Sequence, residues 1–277
     1  MHIIDPIQYP LSPDAQYVPQ SHLLSEALRF ESSVGIQNIV LVQPSIYGFD
    51  NSCMLNALRQ LGPHRARAVV AFDPATTTIL TLEEWHKLGV RGVRVNLQSV
   101  GKKLGMEELA SILEQYANLI RQFDWVLQLY VSLDTVAGLA EIIPKLGLKV
   151  CLDHFGHPSM SFSAEKVLNS GRLDPYSLPG FNSLIELLQE EQIYVKMSAP
   201  YRISRLVGDE DIEIVAKELL RVAGKKRVVF ATDWPHTRFE GLDIRPFMEQ
   251  VIEWCHGDKV LLERVFRGNA EDLWGVR

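Results

Sequence analysis

Short apolar runs alternate with helix-length amphipathic segments along almost the whole chain. The runs are rich in β-branched residues and are apolar at nearly every position, which is typical of parallel strands buried on both faces. The predicted strands are His2–Ile4, Asn38–Gln43, Ala66–Phe72, Gly92–Asn96, Trp125–Val131, Leu148–Asp153, Ile193–Met197 and Arg227–Ala231. The pattern therefore predicts a parallel sheet of eight strands.

The amphipathic segments between these runs predict the helices. They are Ser21–Val34, Ser52–Leu61, Leu80–Leu88, Met106–Phe123, Leu133–Leu146, Leu178–Glu191 and Asp209–Ala223, and two or three more follow the last strand. A glycine comes directly after five of the seven segments, as is common where a helix ends. Strands and helices thus alternate in βα units.

Eight βα units in 277 residues predict an α/β fold of the (β/α)8 TIM-barrel type, with a first strand that is short or incomplete. We expect residues 1–277 to form this single barrel domain. A doubly wound open sheet is the alternative, but it usually has a glycine-rich turn after its first strand, and this chain has none. The connection from His157 to Pro179 is long, and we expect it to contribute to the active-site face.

Composition narrows the classes of function. The net charge is −6, and no stripe of Lys and Arg is available to neutralise nucleic-acid phosphates. The three cysteines lie far apart, which argues against a disulfide framework and a structural zinc site. No apolar run reaches the roughly 20 residues of a membrane helix. We therefore expect a cytoplasmic protein that binds neither nucleic acid nor membranes.

Histidines and carboxylates gather where the predicted strands end, which is where a TIM barrel has its active site. Asp233 follows the last strand, His154 follows the sixth, and His2 opens the first. An ionised aspartate can deprotonate a water molecule, and an imidazole can polarise a carbonyl or transfer the proton. The same residue types also bind a single zinc ion.

Residues that can hold an oxygen-rich substrate lie at the same ends. Arginine can bind a carboxylate with two hydrogen bonds, and tyrosine can donate to substrate oxygens or to a developing oxyanion. The predicted substrate-binding residues are Gln43, Ser45, Tyr47, Arg94, Tyr130 and Arg202, and Tyr201 is a further donor. The arginines fit structural ion pairs equally well, and Gln43 and Tyr47 also fit a role in closing the barrel mouth. The set favours hydrolysis of an ester-like bond in a small anionic or oxygen-rich molecule.

At these residues the chain resembles the amidohydrolase superfamily, and within it the branch of lactone hydrolases that includes 2-pyrone-4,6-dicarboxylate lactonase. The similarity runs from residue 2 to about residue 275 and depends on the order and spacing of several short stretches. These stretches are His2–Pro6, Gln43–Tyr47, Arg91–Asn96, Asp153–Gly156 and Thr232–His236.

The resemblance implies a lactonase in which Asp233 activates the hydrolytic water and His154 assists it. His2 corresponds to the second histidine of the family's His-x-His pair, and Arg94 and Arg202 correspond to positions that hold substrate carboxylates. The partner is then a small lactone or carboxylate, and a homodimer is left open.

The resemblance also bears on the cofactor. Ser198 stands where a ligand histidine would be expected, so a two-metal site is not predicted. We expect either no cofactor or one weakly bound divalent metal, Zn or Mn, held by His2, His154 and Asp233.

Three departures from the family pattern affect the expected activity. The sequence begins at Met1, so the first histidine of the His-x-His pair is absent, which implies either an upstream start or an impaired site. His157 and Val100 stand where the dicarboxylate lactonase has arginines, which favours a lactone with one carboxylate or a neutral sugar lactone. The alternatives are a metal-dependent decarboxylase of an aromatic acid on the same barrel, and a catalytically impaired homologue that only binds ligand.

Overall fold

The computed structural model describes residues 1–160, 173–203 and 210–276. The strands of its sheet run parallel and lie side by side in chain order. They are β1 (Ile39–Val42), β2 (Ala66–Val70), β3 (Val90–Asn96), β4 (Val126–Tyr130), β5 (Val150–Leu152), β6 (Ile193–Met197) and β7 (Val228–Phe230). The sheet curls, helices cover its outer face, and the architecture is the predicted TIM barrel. The middle of the predicted 157–179 connection lies outside the described residues.

The helices connect successive strands, and three of them follow β7. They are α1 (Leu24–Ser33), α2 (Ser52–Leu61), α3 (Ile79–Leu88), α4 (Met106–Ile120), α5 (Leu133–Leu139), α6 (Phe181–Gln189), α7 (Glu210–Ala223), α8 (Arg245–Trp254), α9 (Lys259–Glu263) and α10 (Asn269–Trp274). A π-helical turn, Arg264–Gly268, joins the last two. No helix in the described ranges has the length and apolar character needed to cross a membrane.

The prediction of a first strand at His2–Ile4 is wrong. Ile4 forms only an isolated antiparallel bridge with His22. The chain turns away at once, because the Asp5 carboxylate accepts hydrogen bonds from two backbone N–H groups of the turn that follows. A regular strand therefore has no room to extend.

The first two residues nevertheless lie between the two edge strands of the sheet. The backbone nitrogen of Met1 donates to Val40 at 3.0 Å, and Val42 donates to the Met1 carbonyl at 2.8 Å. On the other side, the His2 N–H donates to the carbonyl of Trp234 at 2.9 Å. These bonds connect β1 to the segment after β7 and place His2 at the mouth of the barrel.

The barrel interior is filled by one side chain from each of six strands, most of them small or medium in size, packed against Trp274 of α10. These side chains are Val42, Val69, Val126, Cys151, Tyr194 and Val229. The remaining strand contributes Gly92, where a Cβ would lie 2.7 Å from the Val126 carbonyl and 3.2 Å from the Trp274 ring. The glycine is required because the Val126 carbonyl and the Trp274 indole occupy that space. The packed interior closes the middle of the barrel, and in TIM barrels the active site lies at the C-terminal mouth.

Candidate active site

A cavity of about 390 Å³ opens at the C-terminal ends of the strands. Its lining combines residues that follow nearly every strand with residues from the N-terminal loop. The lining residues are His2, Tyr17, Pro44, Ser45, Arg94, Ser99, Tyr130, His154, Arg202, Asp233, Thr237 and Arg238. Seven of the nine predicted site residues are therefore brought together here, and Gln43 and Tyr47 are not among the lining residues.

The two carboxylate oxygens of Asp233 differ in their surroundings. Oδ2 is hydrogen-bonded to other side chains, and Oδ1 is turned to the cavity. Its Oδ2 accepts hydrogen bonds from the Tyr201 hydroxyl and from Nε of Arg202, each at 2.7 Å. Burial raises the pKa of this carboxyl group, but the positive charge of Arg202 outweighs burial and holds the pKa well below its usual range. Asp233 is therefore ionised, and Oδ1 keeps its lone pairs for a proton.

His154 faces Asp233 across the cavity floor. Its Nε2 lies 4.0 Å from Oδ1 of Asp233, and its Nδ1 lies 2.9 Å from the Ser198 hydroxyl. Burial lowers the pKa of the imidazole, so the ring is neutral near pH 7 and has a single N–H. If Ser198 donates to Nδ1, that N–H is on Nε2 and points toward the cavity.

His2 has the opposite tautomer. Its Nδ1 lies 2.7 Å from the carbonyl oxygen of Val42, and a carbonyl can only accept, so the proton is on Nδ1. Burial and the nearby Arg94 lower the pKa of His2 to about 3, which keeps Nε2 unprotonated. His2 therefore presents an acceptor to the cavity and cannot donate to a lactone carbonyl.

Arg94 is held by a buried carboxylate beneath the cavity. Its Nε and Nη2 donate to Oδ2 of Asp153 at 3.3 and 3.1 Å, and its Nη1 donates to the Gln43 carbonyl at 3.3 Å. Asp153 also accepts from Lys196 at 3.0 Å and from Gln128 at 3.0 Å. We call Arg94, Gln128, Asp153 and Lys196 the buried charge cluster. It fixes the guanidinium of Arg94 at the cavity wall.

Arg202 is likewise anchored and lies above the cavity floor. Besides Asp233, its Nη2 donates to the carbonyl and the hydroxyl of Thr237 at 3.1 and 3.3 Å. The guanidinium stacks over the Tyr201 and Phe239 rings, each at 5.5 Å. These contacts favour the alternative in which Arg202 forms a structural ion pair. Part of its guanidinium nevertheless lines the cavity.

Tyr130 and Ser45 also line the cavity. The Tyr130 ring contacts His154 edge-on at 4.8 Å, and Arg94 lies 5.5 Å from the same ring. Burial raises the pKa of Tyr130 to about 12, so its hydroxyl keeps its proton and can donate. Ser45 begins the short helical turn that follows β1.

Gln43 and Tyr47 lie behind the cavity wall. The Gln43 side-chain amide donates to the carbonyls of Gly48 and Asp50, and the Tyr47 hydroxyl accepts from the Asp5 backbone N–H at 2.9 Å. Both side chains are buried and hold loops that border the mouth. This arrangement favours the alternative considered from the sequence, in which these residues close the barrel mouth.

Five lining residues were not predicted, and one of them, Pro44, directly precedes the predicted Ser45. Thr237 and Arg238 follow the Thr232–His236 stretch directly, so their position after the last strand was a usable signal. Tyr17 and Ser99 come from connecting segments whose sequence pattern does not indicate where they fold.

The backbone around the site is strained in several places. Six non-glycine residues after β5, β6 and β7 have φ between about 49° and 60°. They are His154, Phe155, His157, Ala199, Asp233 and His236. Non-glycine residues rarely adopt this left-handed conformation, and it concentrates at functional sites. Its presence at both Asp233 and His154 indicates that the two side chains are held in place by the surrounding fold.

The expected metal ligands do not form a metal site. Among residues 1–160, 173–203 and 210–276, no group of three or more His, Cys, Asp or Glu side chains is arranged to hold a metal. One ring nitrogen of His2, one of His154 and Oδ2 of Asp233 are already hydrogen-bonded. Three arginines also line the cavity, and their positive charge disfavours a cation. The donor set does not fit a tightly bound divalent metal.

Comparisons with known proteins identify the family. The amidohydrolase family model matches residues 1–276. The chain is 29% identical over 243 residues to 4-sulfomuconolactone hydrolase of Hydrogenophaga intermedia, covering 86% of this chain and 74% of that protein. It is 25% identical over 246 residues to a 2-pyrone-4,6-dicarboxylate hydrolase of Comamonas testosteroni, covering 85% and 75%.

Solved structures have the same fold. A protein of Pseudomonas putida, provisionally assigned as a 2-pyrone-4,6-dicarboxylic acid hydrolase, superposes with a TM-score of 0.80 at 26% identity. The match covers 100% of this chain and 96% of that one. The fold is therefore shared over nearly the full length of both chains.

Proposed function

The chain belongs to the amidohydrolase family, and we propose that it is a hydrolase that opens a small lactone with Asp233 as the general base. The observation that carries the proposal is the asymmetry of this carboxylate. Oδ2 is bound by Tyr201 and Arg202, while Oδ1 is turned toward the cavity and His154. The hydrolysis of lactones by the two curated relatives supports the same reaction class.

The first step is attack of water on the lactone carbonyl. The water binds to Oδ1 of Asp233, and His2 Nε2 is an acceptor that can orient it. As the bond from the water oxygen to the carbonyl carbon forms, one water proton passes to Asp233. The hydrogen bonds from Tyr201 and Arg202 keep the carboxylate ionised and fix its orientation before this transfer.

The negative charge that develops on the carbonyl oxygen requires donors. His154 provides one through Nε2–H if Ser198 donates to its Nδ1. Tyr130 is protonated and lies against the same imidazole, so its hydroxyl is a second donor. Donors fixed in advance at a site of developing charge are typically among the largest contributions to catalysis.

The second step breaks the ring. The bond from the carbonyl carbon to the ring oxygen cleaves, and the proton held by Asp233 passes to that oxygen as it leaves. The product is an open-chain hydroxy acid, and Asp233 returns to its ionised form. No cofactor has a part in this sequence, which uses only water and the side chains of the chain.

Residues of the cavity wall orient the substrate. Arg94 and Arg202 present guanidinium groups that are already fixed by Asp153 and Asp233, and Ser45 adds a hydroxyl. Such prearranged groups reduce the entropy lost when the substrate binds. Gln43 and Tyr47 contribute indirectly, by holding the loops behind the wall.

The experiment is ring-opening of a lactone panel by the purified chain, followed as acid release. The panel includes pyrone dicarboxylate, muconolactone, sugar lactones, and γ-carboxy-γ-butyrolactone with its methyl ester. Turnover that disappears in Asp233→Asn while the protein stays folded is the expected result. Release of CO₂ from an aromatic acid, or ligand-induced thermal stabilisation without any turnover, would contradict the proposal.

A further inference from the structure

Three arginines line the cavity, and two of them have a carboxylate partner. Arg94 pairs with Asp153 and Arg202 pairs with Asp233, each through hydrogen bonds of 3.3 Å or less. The Arg202–Asp233 pair is close to neutral as a unit, whereas Asp153 also pairs with Lys196, so the buried charge cluster keeps a net positive charge. The third arginine of the lining, Arg238, has different surroundings from the other two.

Arg238 has no carboxylate on its guanidinium within the described part of the chain. Its backbone N–H donates to Glu240 at 3.3 Å, but none of the described ion pairs involves its side chain. The residue is exposed at the outer edge of the cavity. Its charge is therefore uncompensated by the protein and accessible to a ligand that enters the mouth.

Tyr17 orients this guanidinium. The central carbon of the Arg238 guanidinium lies 4.3 Å from the centre of the Tyr17 ring, and both residues line the cavity. Stacking uses the flat face of the guanidinium and leaves the N–H groups at its edge free to bind a planar carboxylate. The pair joins two neighbouring segments at the mouth, because Tyr17 belongs to the N-terminal loop and Arg238 to the segment after β7.

The conformation of the turn also fixes the position of the Arg238 backbone at the cavity entrance. Its φ is 70°, and that of His236, two residues earlier, is 60°. Thr237 between them is buried and bonds to Arg202. The turn that carries Arg238 is thus hydrogen-bonded to Arg202, which in turn binds the carboxylate of Asp233.

From these contacts we propose that Arg238, stacked on Tyr17, determines specificity by binding a carboxylate substituent of the lactone at the cavity entrance. The inference rests on the proposed function and adds the substrate class: a lactone that bears a carboxylate on the ring carbon directed away from Asp233. Arg94 and Arg202 then act on the inner part of the substrate. Arg238 contributes to binding and not to the bond-breaking steps.

The test compares a charged and a neutral substrate on matched variants. Arg238→Gln removes the charge and keeps polarity, and Arg29→Gln is the control because Arg29 is an exposed arginine on α1 outside the cavity lining. The substrates are the carboxylate lactone of the panel that opens fastest and its methyl ester. For Arg238→Gln we expect KM for the carboxylate to rise about tenfold to a hundredfold, the range for losing a hydrogen bond to a charged group.

Two further results are expected if the role is specific. The value of kcat for the carboxylate, and both constants for the ester, stay within about twofold of wild type. Tyr17→Leu raises KM for the carboxylate by a smaller factor, because the guanidinium keeps its charge and loses its orientation. Equal losses on both substrates, or no loss on either, would overturn the proposal.

A binding measurement separates this inference from the proposed reaction. Calorimetric titration with 2-hydroxyglutarate, the ring-opened form of γ-carboxy-γ-butyrolactone, needs no turnover. If wild type opens no lactone, the proposed function fails, and weaker binding to Arg238→Gln than to Arg29→Gln would still support the carboxylate site. Equal binding by the two variants would overturn it.

Discussion

The Nε2 atom of His154 lies 4.0 Å from Oδ1 of Asp233, too far for a direct hydrogen bond. The other oxygen of the carboxylate is bound by two donors at 2.7 Å. The imidazole and the free oxygen therefore face the same space without forming a hydrogen bond to each other. This separation leaves the base and the donor available to a reacting water and carbonyl between them.

Asp233→Asn should abolish turnover while the protein still binds substrate. The amide cannot accept a proton at the free position, so we expect kcat to fall by about 10²- to 10⁴-fold, the range for losing a general base. Steady-state kinetics and product titration measure the two effects. Asp243→Asn is the control, because Asp243 is exposed and pairs with Arg245 away from the cavity. A variant with near-normal kcat would disprove the assigned role.

Tyr201→Phe should lower kcat more than it changes KM. The tyrosine donates to the engaged oxygen of Asp233, and its loss leaves Arg202 as the remaining described donor there. A hydrogen bond to a charged group contributes about 1.5–3 kcal/mol, so a fall of about tenfold or more is expected. Tyr176→Phe removes a comparable bond to Glu218 at the surface and should have no effect on kcat. Equal behaviour of the two variants would show that the Tyr201 bond has no catalytic role.

Asp153→Asn should destabilise the fold strongly. The carboxylate is almost fully buried and accepts from Arg94, Gln128 and Lys196, so removing its charge leaves two buried cations without an anion. Breaking such a pair costs about 3–5 kcal/mol. Thermal and urea unfolding measure the loss of stability.

The matched control for that variant is Asp124→Asn. Asp124 pairs with Lys149 at 2.8 Å, but its side chain is 76% exposed. An exposed pair contributes at most about 1 kcal/mol, so this variant should unfold close to wild type. Similar losses in both variants would contradict the assigned importance of the buried cluster.

Stability should fall as the pH is lowered from about 6.5 toward 4, and His236 should account for part of the change. Burial lowers the pKa of His236 to about 4, so the unfolded chain binds more protons than the folded one between that value and the ordinary 6.5. Its contribution is complete above pH 6.5 and is lost as the pH falls. In His236→Asn the free energy of unfolding should depend less steeply on pH across this window.

The control for His236 is His256→Asn, since His256 is exposed. That variant should keep the wild-type pH dependence in denaturant titrations at pH 4.5, 5.5, 6.5 and 7.5. If His236→Asn kept the same slope as wild type, the histidine would not be neutral in the folded state.

Removal of metal should leave activity intact. One of the two possible ligand atoms of each of His2, His154 and Asp233 is occupied by a hydrogen bond, and three arginines line the same cavity. We expect kcat/KM to change by less than about twofold after dialysis against a chelator, which is well below the effect of losing a Lewis acid. Loss of activity that added Zn or Mn restores would overturn this expectation. Metal analysis of the purified protein is the companion measurement.

The sequence predicted the repeating architecture well because each βα unit has its own local signals. The strand at Ile193–Met197 and the helix at Ser52–Leu61 have the predicted bounds. The helix predicted over Leu133–Leu146 is shorter, because Pro144 cannot donate to the preceding turn, and only a short 3-10 segment follows. Local patterning could not show that the first residues form a two-residue link and not a strand.

The site was predictable in outline and not in its contacts. The position of Asp233, His154 and Arg94 at strand ends follows from the fold, and all three line the cavity. Which carboxylate pairs with which arginine depends on strand tilt, and Arg94 and Asp153 are 59 residues apart in sequence. Tyr47 shows the same limit, because a tyrosine after a strand can face the cavity or a neighbouring loop.

The buried charge cluster draws its four members from different parts of the barrel: Arg94 from β3, Gln128 from β4, Lys196 from β6, and Asp153 from just beyond β5. A slip of one residue in any of these strands would turn its polar side chain to the outer face and leave a buried charge unpaired. The cluster therefore penalises misaligned barrels during folding. The same strand alignment determines where the loops that carry His154 and Asp233 lie at the barrel mouth. Chains with a wrong strand register would therefore be destabilised during folding, before the active site has formed.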